Sequence, residues 1–404
     1  MWNGVRLLRM SAACLAAFVC IAAAGAAPRV FLHDAEALET LREEIQEGET
    51  EFDAALEEVR DDAEEALERG PWSVTDKEET PPSGEKRDYM SQGPYWWPNP
   101  DTEDGLPYVR RDGERNPETD ALDRRPMGRM INAVETLGWA YYFTGEERFA
   151  GRAAHLLRTW FLDEDTGMNP HLEYGQRIPG RVEGRGIGII DTRGLVNVVE
   201  AVGLLAESDA WTDDDQDGLE QWFEQYLEWL IESDHGQDER RHPNNHGTWY
   251  DVQVASFALF TGQDDVAREV LEESRERRIQ EQSEPDGRQP RELDRTLPWS
   301  YSVMNLRGYM ALAHLGERAG VDIWGWESEE GHGLRQALEY LLPYATGEAE
   351  WTYEGIRDPD FSRLAPLLWK AGLEYGSAEY KKIARELLDE EDWETARFRL
   401  HYPE

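Results

Sequence analysis

The sequence predicts an all-α fold, an α/α toroid (an incomplete α/α barrel) built from antiparallel helical hairpins. Three observations carry this. Apolar residues recur at helical spacing through most of the 404 residues, strand signals are sparse, and glycine follows helical segments where a hairpin would turn, as at Thr144-Gly145, Thr261-Gly262 and Gly320. The composition agrees, because 40% hydrophobic and 11% aromatic residues exclude a disordered or collagen-like chain.

Taken in order, the first element is an exported leader. Arg6 and Arg9 precede an apolar run from Met10 to Ala24, and Ala24-Gly25-Ala26 reads as a cleavage site. The run is shorter than the ~20 residues of a membrane span. Residues 1–26 are therefore expected to be a signal peptide, residues 27–404 one toroid domain, and the location secreted or periplasmic, with no membrane attachment after cleavage. Both cysteines, Cys14 and Cys20, fall in the leader, so no disulfide is expected in the remainder.

Two helices follow over 34–48 and 51–70, where Leu38, Leu41 and Ile45, then Phe52, Leu56 and Val59, keep one face apolar. Further amphipathic stretches occupy 127–144, 146–163, 193–207, 215–233, 249–261, 264–282, 301–318, 331–345, 361–376 and 378–389. Between them lie irregular segments at 71–126, 164–192, 234–248 and 284–300, rich in Gly, Pro, Arg, Asn and aromatics. Loops of that length in a helical protein commonly carry function.

Charge narrows the partner. Asp and Glu total 84 against 42 Lys and Arg, a net charge of -42, which argues against nucleic acid and against anionic lipid. An anionic ligand must find a local basic cleft. The cations are nearly all Arg, with Lys only at 77, 86, 370, 381 and 382, and the acids are spread along the chain. Such a surface stays solvated at high salt and predicts a salt-adapted host.

Each long loop offers binding groups. In the first, Tyr95, Trp96 and Trp97 sit among prolines and precede Tyr108 and Arg110, so that aromatics are available to stack on sugar rings and arginine to grip carboxylates. The second adds Tyr174, Gln176 and Arg185 among glycines, with no strand before it and no Gly-Lys-Ser/Thr after it to indicate phosphate binding. In the third, His242-Pro243-Asn244-Asn245-His246-Gly247-Thr248-Trp249-Tyr250 opens onto a helix. Asn245 with His246 reads as a catalytic pair, with a structural cap as the alternative. Zinc on His242 and His246 is a third reading, disfavoured because Pro243 interrupts the helix and no acid stands between them. In the fourth, Arg295 and Tyr301 suit a charge clamp and a proton-transfer group. The calcium-loop spacing of Asp213 to Glu224 is better explained as the acidic start of a helix. No cofactor or metal is expected.

Together the loops resemble the alginate lyase superfamily domain shared by polysaccharide lyase family 5 and, more closely, family 38. The resemblance rests on Tyr95-Trp96-Trp97-Pro98 with Asp104-Gly105-Leu106-Pro107-Tyr108, on Gly184 to Asp191, on Asn244-Asn245-His246-Gly247, and on Glu292-Leu293-Asp294-Arg295-Thr296 with Tyr301. It implies an α/α toroid that cleaves polyuronates by β-elimination, with the family's catalytic residues on Asn245, His246, Arg295 and Tyr301. Tyr95, Trp96, Trp97, Tyr108, Arg110, Tyr174, Gln176, Arg185, Trp249 and Tyr250 are the expected substrate contacts, and an anionic polysaccharide is the expected partner.

These residue types fit the chemistry. Removing the C5 proton beside a uronate carboxylate requires neutralisation of the developing charge, which Arg295 and the Asn245 amide can supply. A base takes the proton and an acid protonates O4. Arg295 and His246 are expected to lower the Tyr301 phenol from its usual ~10 toward the phenolate. Two other functions compete: a glycoside hydrolase using carboxylates such as Glu173, Glu183 or Asp251, and a glycan-binding protein without catalysis.

Overall fold

In the computed structural model, which describes residues 27–48 and 50–404, helices α3 (Arg124–Thr144), α5 (Leu195–Leu204), α8 (Asn245–Phe260) and α11 (Pro298–Ala319) pack side by side as the inner staves of a toroid. Outside them lie α4 (Glu147–Leu157), α6 (Asp213–Glu232), α9 (Asp264–Ser274) and α12 (Leu334–Ala345). Before the first stave come α1 (Ala35–Glu47) and α2 (Asp53–Leu67). The long helices thus fall where the periodicity places them. The proposed leader lies outside the described residues, among which no helix is long and apolar enough to cross a membrane.

The helix ends follow local chemistry. Asp34 caps α1 by accepting from the amides of Glu36 and Ala37, and Thr212 and Asp215 form a reciprocal capping box at the start of α6. The Asp213–Gly218 run is therefore the first turns of a helix, with Asp215 also taken by Arg158, which leaves no calcium loop. Gly145 ends α3 with φ 69°, a left-handed conformation that favours glycine.

The inner staves are buried on nearly all sides. In α8 every residue from Gly247 to Phe260 is buried, and α8 touches α5, α6, α7 (Asp234–Arg240), α9 and α11. Two of its polar residues are satisfied internally: Asp251 takes two bonds from Arg278, at 2.7 and 2.9 Å, and Gln253 donates to the carbonyl of Trp249. Leaving either member of a buried ion pair alone would be costly, so the pair also fixes the π-helical turn at Arg275–Gln280 that carries Arg278.

Four helices were not legible as such. Helix α7 and the short α10 (Pro290–Leu293) lie in segments read as irregular, and the short α15 (Glu390–Glu394) and α16 (Phe398–His401) follow α13 (Ala365–Glu374) and α14 (Ala378–Glu386), which were expected. Four short strands form two pairs: β1 (Met90–Gln92) runs parallel to β4 (Tyr174–Arg177), and β2 (Trp96–Trp97) antiparallel to β3 (Val109–Arg110). These pairs lie in the first two long loops and tie them together over one end of the toroid.

The opposite end is closed by segments around His33 and Tyr402. His33 bonds Glu200 of α5 at 2.8 Å and stacks on Tyr402, with centroids 5.1 Å apart, while His401 stacks on Trp139 of α3 at 4.2 Å. Tyr402 also lies over the ammonium of Lys370 from α13.

Candidate active site

The strand-paired loops and the N-termini of α8 and α11 surround a cavity of about 420 Å³. Asn245, His246, Arg295 and Tyr301 all line it, as do Tyr95, Trp96, Arg110, Gln176 and Arg185. Residues from four separate loops therefore meet at one end of the toroid.

Each of the four predicted catalytic groups is held by a partner. Asn245, the first residue of α8, donates its backbone N–H to Glu292 at 2.6 Å and its amide Nδ2 to the same carboxylate at 2.7 Å. Burial raises the Glu292 carboxyl above its usual range, and the two bonds from Asn245 oppose that rise. One turn of α7 places buried Glu239 against His246, with Oε1 2.8 Å from Nδ1. A carboxylate there accepts a hydrogen bond from Nδ1–H and leaves Nε2 as the ring's free acceptor.

Tyr301 stands in the first turn of α11. Arg295 donates to its phenol oxygen at 2.9 Å, with the guanidinium carbon 4.0 Å from the ring centre, and Tyr95 shares a hydroxyl bond with it at 2.8 Å. Asp112 fixes Arg295 from behind at 3.3 Å and accepts from Thr296 and Arg110. The expected lowering of the phenol is overturned in the substrate-free protein. Burial pushes Tyr301 well above the ordinary tyrosine range, the bond with Tyr95 and the Asp112 charge act in the same direction, and Arg295 opposes them without prevailing.

A glycine-permitted fit builds the other wall. Gly188 lies so close to Gly175 that an added Cβ would come within 2.5 Å of its carbonyl carbon, which explains the glycines on both segments. Gln176 takes a left-handed φ of 47° that few side chains adopt, and its backbone N–H is caught by Ser91 while its amide donates to Asp191. Arg185 then donates to both the carbonyl and the side chain of Gln176, at 2.9 and 3.0 Å. Burial lowers Arg185 to about 10, so it remains a cation at neutral pH.

Other expected contacts fall elsewhere. Tyr250 is a correction: it is buried in the core with its hydroxyl on the carbonyl of Leu230, because it lies about 100° around α8 from Trp249 and points away from the cavity. Trp249 lines an adjoining chamber, mostly buried, and donates to the carbonyl of Met304. Trp97 bonds the carbonyl of Glu114 under Arg111, Tyr108 bonds Glu118, and Tyr174 pairs with Met90; none of the three lines the cavity. His242 lies on the cavity rim, its ring 5.5 Å from that of His246, with burial lowering its proton affinity.

Sequence reasoning missed several residues of the wall. Arg124 and Arg193 complete a set of five arginines with Arg110, Arg185 and Arg295, and the cavity lining contains no carboxylate. In a chain of net charge -42 this is a local reversal of sign. The two hydrolase candidates with resolved partners are committed elsewhere, Asp251 to Arg278 and Glu173 to Trp229.

Comparison with known proteins gives a consistent result. Residues 73–351 match the family described as Alginate lyase. The chain is similar to an alginate lyase from Bacteroides ovatus, with 40% identity and a TM-score of 0.89 over 93% of this chain and 99% of that one. It shares its fold with alginate lyase A1-III, seen as a histidine variant with a bound tetrasaccharide at 14% identity and a TM-score of 0.56, covering 88% of this chain and 90% of that one. A tyrosine variant of the same enzyme, also with tetrasaccharide, gives 14% and 0.55 over the same shares. No curated protein matches the chain.

Proposed function

Since the chain belongs to the alginate lyase family and is a polysaccharide lyase, we propose that it is an exported enzyme that cleaves the 4-O-glycosidic bonds of a polyuronate, alginate or glucuronan, by β-elimination at the cavity of Tyr301. The observation that carries this reading is the lining itself: amides, imidazoles, phenols and five guanidinium groups, with no carboxylate. A retaining or inverting hydrolase needs two carboxyl groups on either side of the bond it cuts, and an anionic substrate needs cations.

In this mechanism the uronate carboxylate is received by Arg295 and by the Asn245 amide, which Glu292 orients. Their charge and dipole stabilise the enolate that forms as C5 loses its proton. Tyr301 is the base and, on the same face, the acid that protonates O4. Its phenol is held up by burial, so the proton must leave before it acts, and Arg295 is the group positioned to stabilise the phenolate. His246 serves as base when C5–H and O4 lie on opposite faces. The C5 hydrogen and O4 are disposed for syn elimination in mannuronate and glucuronate and for anti elimination in guluronate, so substrates of the first kind are expected to be preferred. Residues 1–26 are proposed to direct export, and Tyr95, Trp96, Arg110, Gln176 and Arg185 to contact the polymer.

The test is direct. Purified protein is mixed separately with polymannuronate, polyguluronate and glucuronan, and the ultraviolet absorbance of the unsaturated uronate is followed beside the release of reducing ends. Both signals rising together support the lyase. Reducing ends without absorbance would identify a hydrolase, and binding with neither would identify a glycan-binding protein.

A further inference from the structure

Two of the buried cations in this protein are neutralised by carboxylates, Arg278 by Asp251 at 2.7 Å and Lys77 by Asp123 at 2.9 Å. Among the described residues, Arg193, half-buried, and Arg307, exposed, have no such partner. Arg193 gives one donor to the carbonyl of Ile190 at 3.1 Å, and neither guanidinium has a carboxylate within 4.0 Å among the described residues.

Both face a chamber of about 670 Å³ that adjoins the catalytic cavity; Tyr95, Arg124, Arg193, Tyr301 and Met304 border the two, and Arg307 lines the chamber only. Arg307 follows Ser300 and Met304 at i+7 and i+3 on the same side of α11, and Arg193 enters from the segment before α5. Asn132 of α3 and Asn197 of α5 add amides to the wall. The chamber's acid, Asp191, is already engaged by Tyr89, Ser91, Gln176 and Arg124. Besides burial, the charges of Arg124 and Arg307 lower the proton affinity of Arg193, so these like charges lie within reach of one another. Guanidinium groups held near one another without a counter-charge repel, and an incoming anion offsets that repulsion.

We propose that Arg193 and Arg307 form a carboxylate-binding subsite that takes the uronate next to the one held at Tyr301. The assignment rests on the lyase reading and adds a place for the second sugar. The chain therefore selects for charge on two consecutive residues, and neutralising the carboxylate of the neighbouring sugar weakens binding even when the sugar at the scissile bond is intact.

The experiment uses the full-length protein carrying Tyr301→Phe, so that ligand is bound without being consumed. Dissociation constants are measured by calorimetry for a uronate hexasaccharide and for its carboxyl-reduced counterpart. Adding Arg307→Gln is expected to weaken hexasaccharide binding about tenfold to a hundredfold, the loss of a charge-assisted contact. Arg307→Lys should recover part of it, and the carboxyl-reduced ligand should bind equally weakly to all three proteins. Arg193→Gln, made separately, should act in the same direction. Hexasaccharide affinity within twofold of the parent in Arg307→Gln overturns the subsite, as does an equal loss for the carboxyl-reduced ligand. If the parent binds no oligouronate and the wild-type protein forms no unsaturated product, the lyase reading itself fails and the subsite falls with it.

Discussion

Asn245 is bound to Glu292 twice, through its main chain at 2.6 Å and through its side chain at 2.7 Å. One carboxylate thereby fixes both the start of α8 and the rotamer of the amide, so the remaining Nδ2 hydrogen has a set direction. Glu292→Ala should lower kcat by about tenfold or more with a smaller change in KM, because the neutralising group is kept but no longer aimed. Steady-state kinetics on the preferred polymer, with circular dichroism to verify folding, would check this; a change in KM alone would show that Glu292 serves only to bind.

Tyr301→Phe should reduce turnover by the ~10² to 10⁴-fold typical of losing an acid–base group, with little effect on substrate affinity. His246→Ala should leave more residual activity than Tyr301→Phe on mannuronate or glucuronate polymers. A Tyr301→Phe enzyme with near wild-type turnover would remove Tyr301 from the chemistry.

The same phenol sets a pH dependence. Its folded proton affinity is raised by burial first and by Tyr95 next, so the neutral form predominates at pH 7 and the phenolate fraction grows as pH rises. With the phenolate as base, kcat/KM should increase from pH 7 to pH 9, and the increase should be absent in Tyr301→Phe. A profile flat over that range in the wild type would assign the base elsewhere.

Asp251→Ala should lower stability by about 3 to 5 kcal/mol, because it strands the buried charge of Arg278. Arg278 also donates to the carbonyls of Arg240 and His242, so the loss should loosen the segment that presents Asn245 and His246. Thermal unfolding of the variant measures the first effect. An unchanged melting temperature would mean that the pair contributes nothing net.

Salt should stabilise the protein. With a net charge of -42, self-repulsion opposes the folded state until the Debye length falls from about 10 Å at 0.1 M to about 3 Å at 1 M. A melting temperature that rises with NaCl over that range is expected, and one that falls would contradict salt adaptation.

The long helices could be read from the sequence because their apolar residues repeat with the helical period. Leu38 and Leu41 are buried as that pattern requires. Helix α7 escaped because Asp234 to Arg240 has no apolar stripe; its start is capped by Ser233, and its contacts with α6 and α8 are tertiary. Asn245, His246, Arg295 and Tyr301 were legible through their neighbours in sequence. Arg124, Arg193 and Arg307 stand on or beside helices among many other arginines, and only the folded chain distinguishes an arginine facing a cavity from one facing solvent. For Arg307 a signal existed in its spacing from Ser300 and Met304. Tyr250 was misplaced because adjacency in sequence was taken for adjacency in space on a helix that turns 100° per residue.

The stacking of His33 on Tyr402 joins the two ends of the described chain across the floor of the toroid. Contacts of such sequence separation close the largest possible loop and are entropically the most expensive to form early, so they belong to the last stage of folding. Until Tyr402 has docked, Lys370 lacks its aromatic cover and Glu200 and His33 face an open floor. The ring of helices is thus sealed from below by Tyr402 and its neighbours, and a chain lacking them would have the staves of the toroid but not its base.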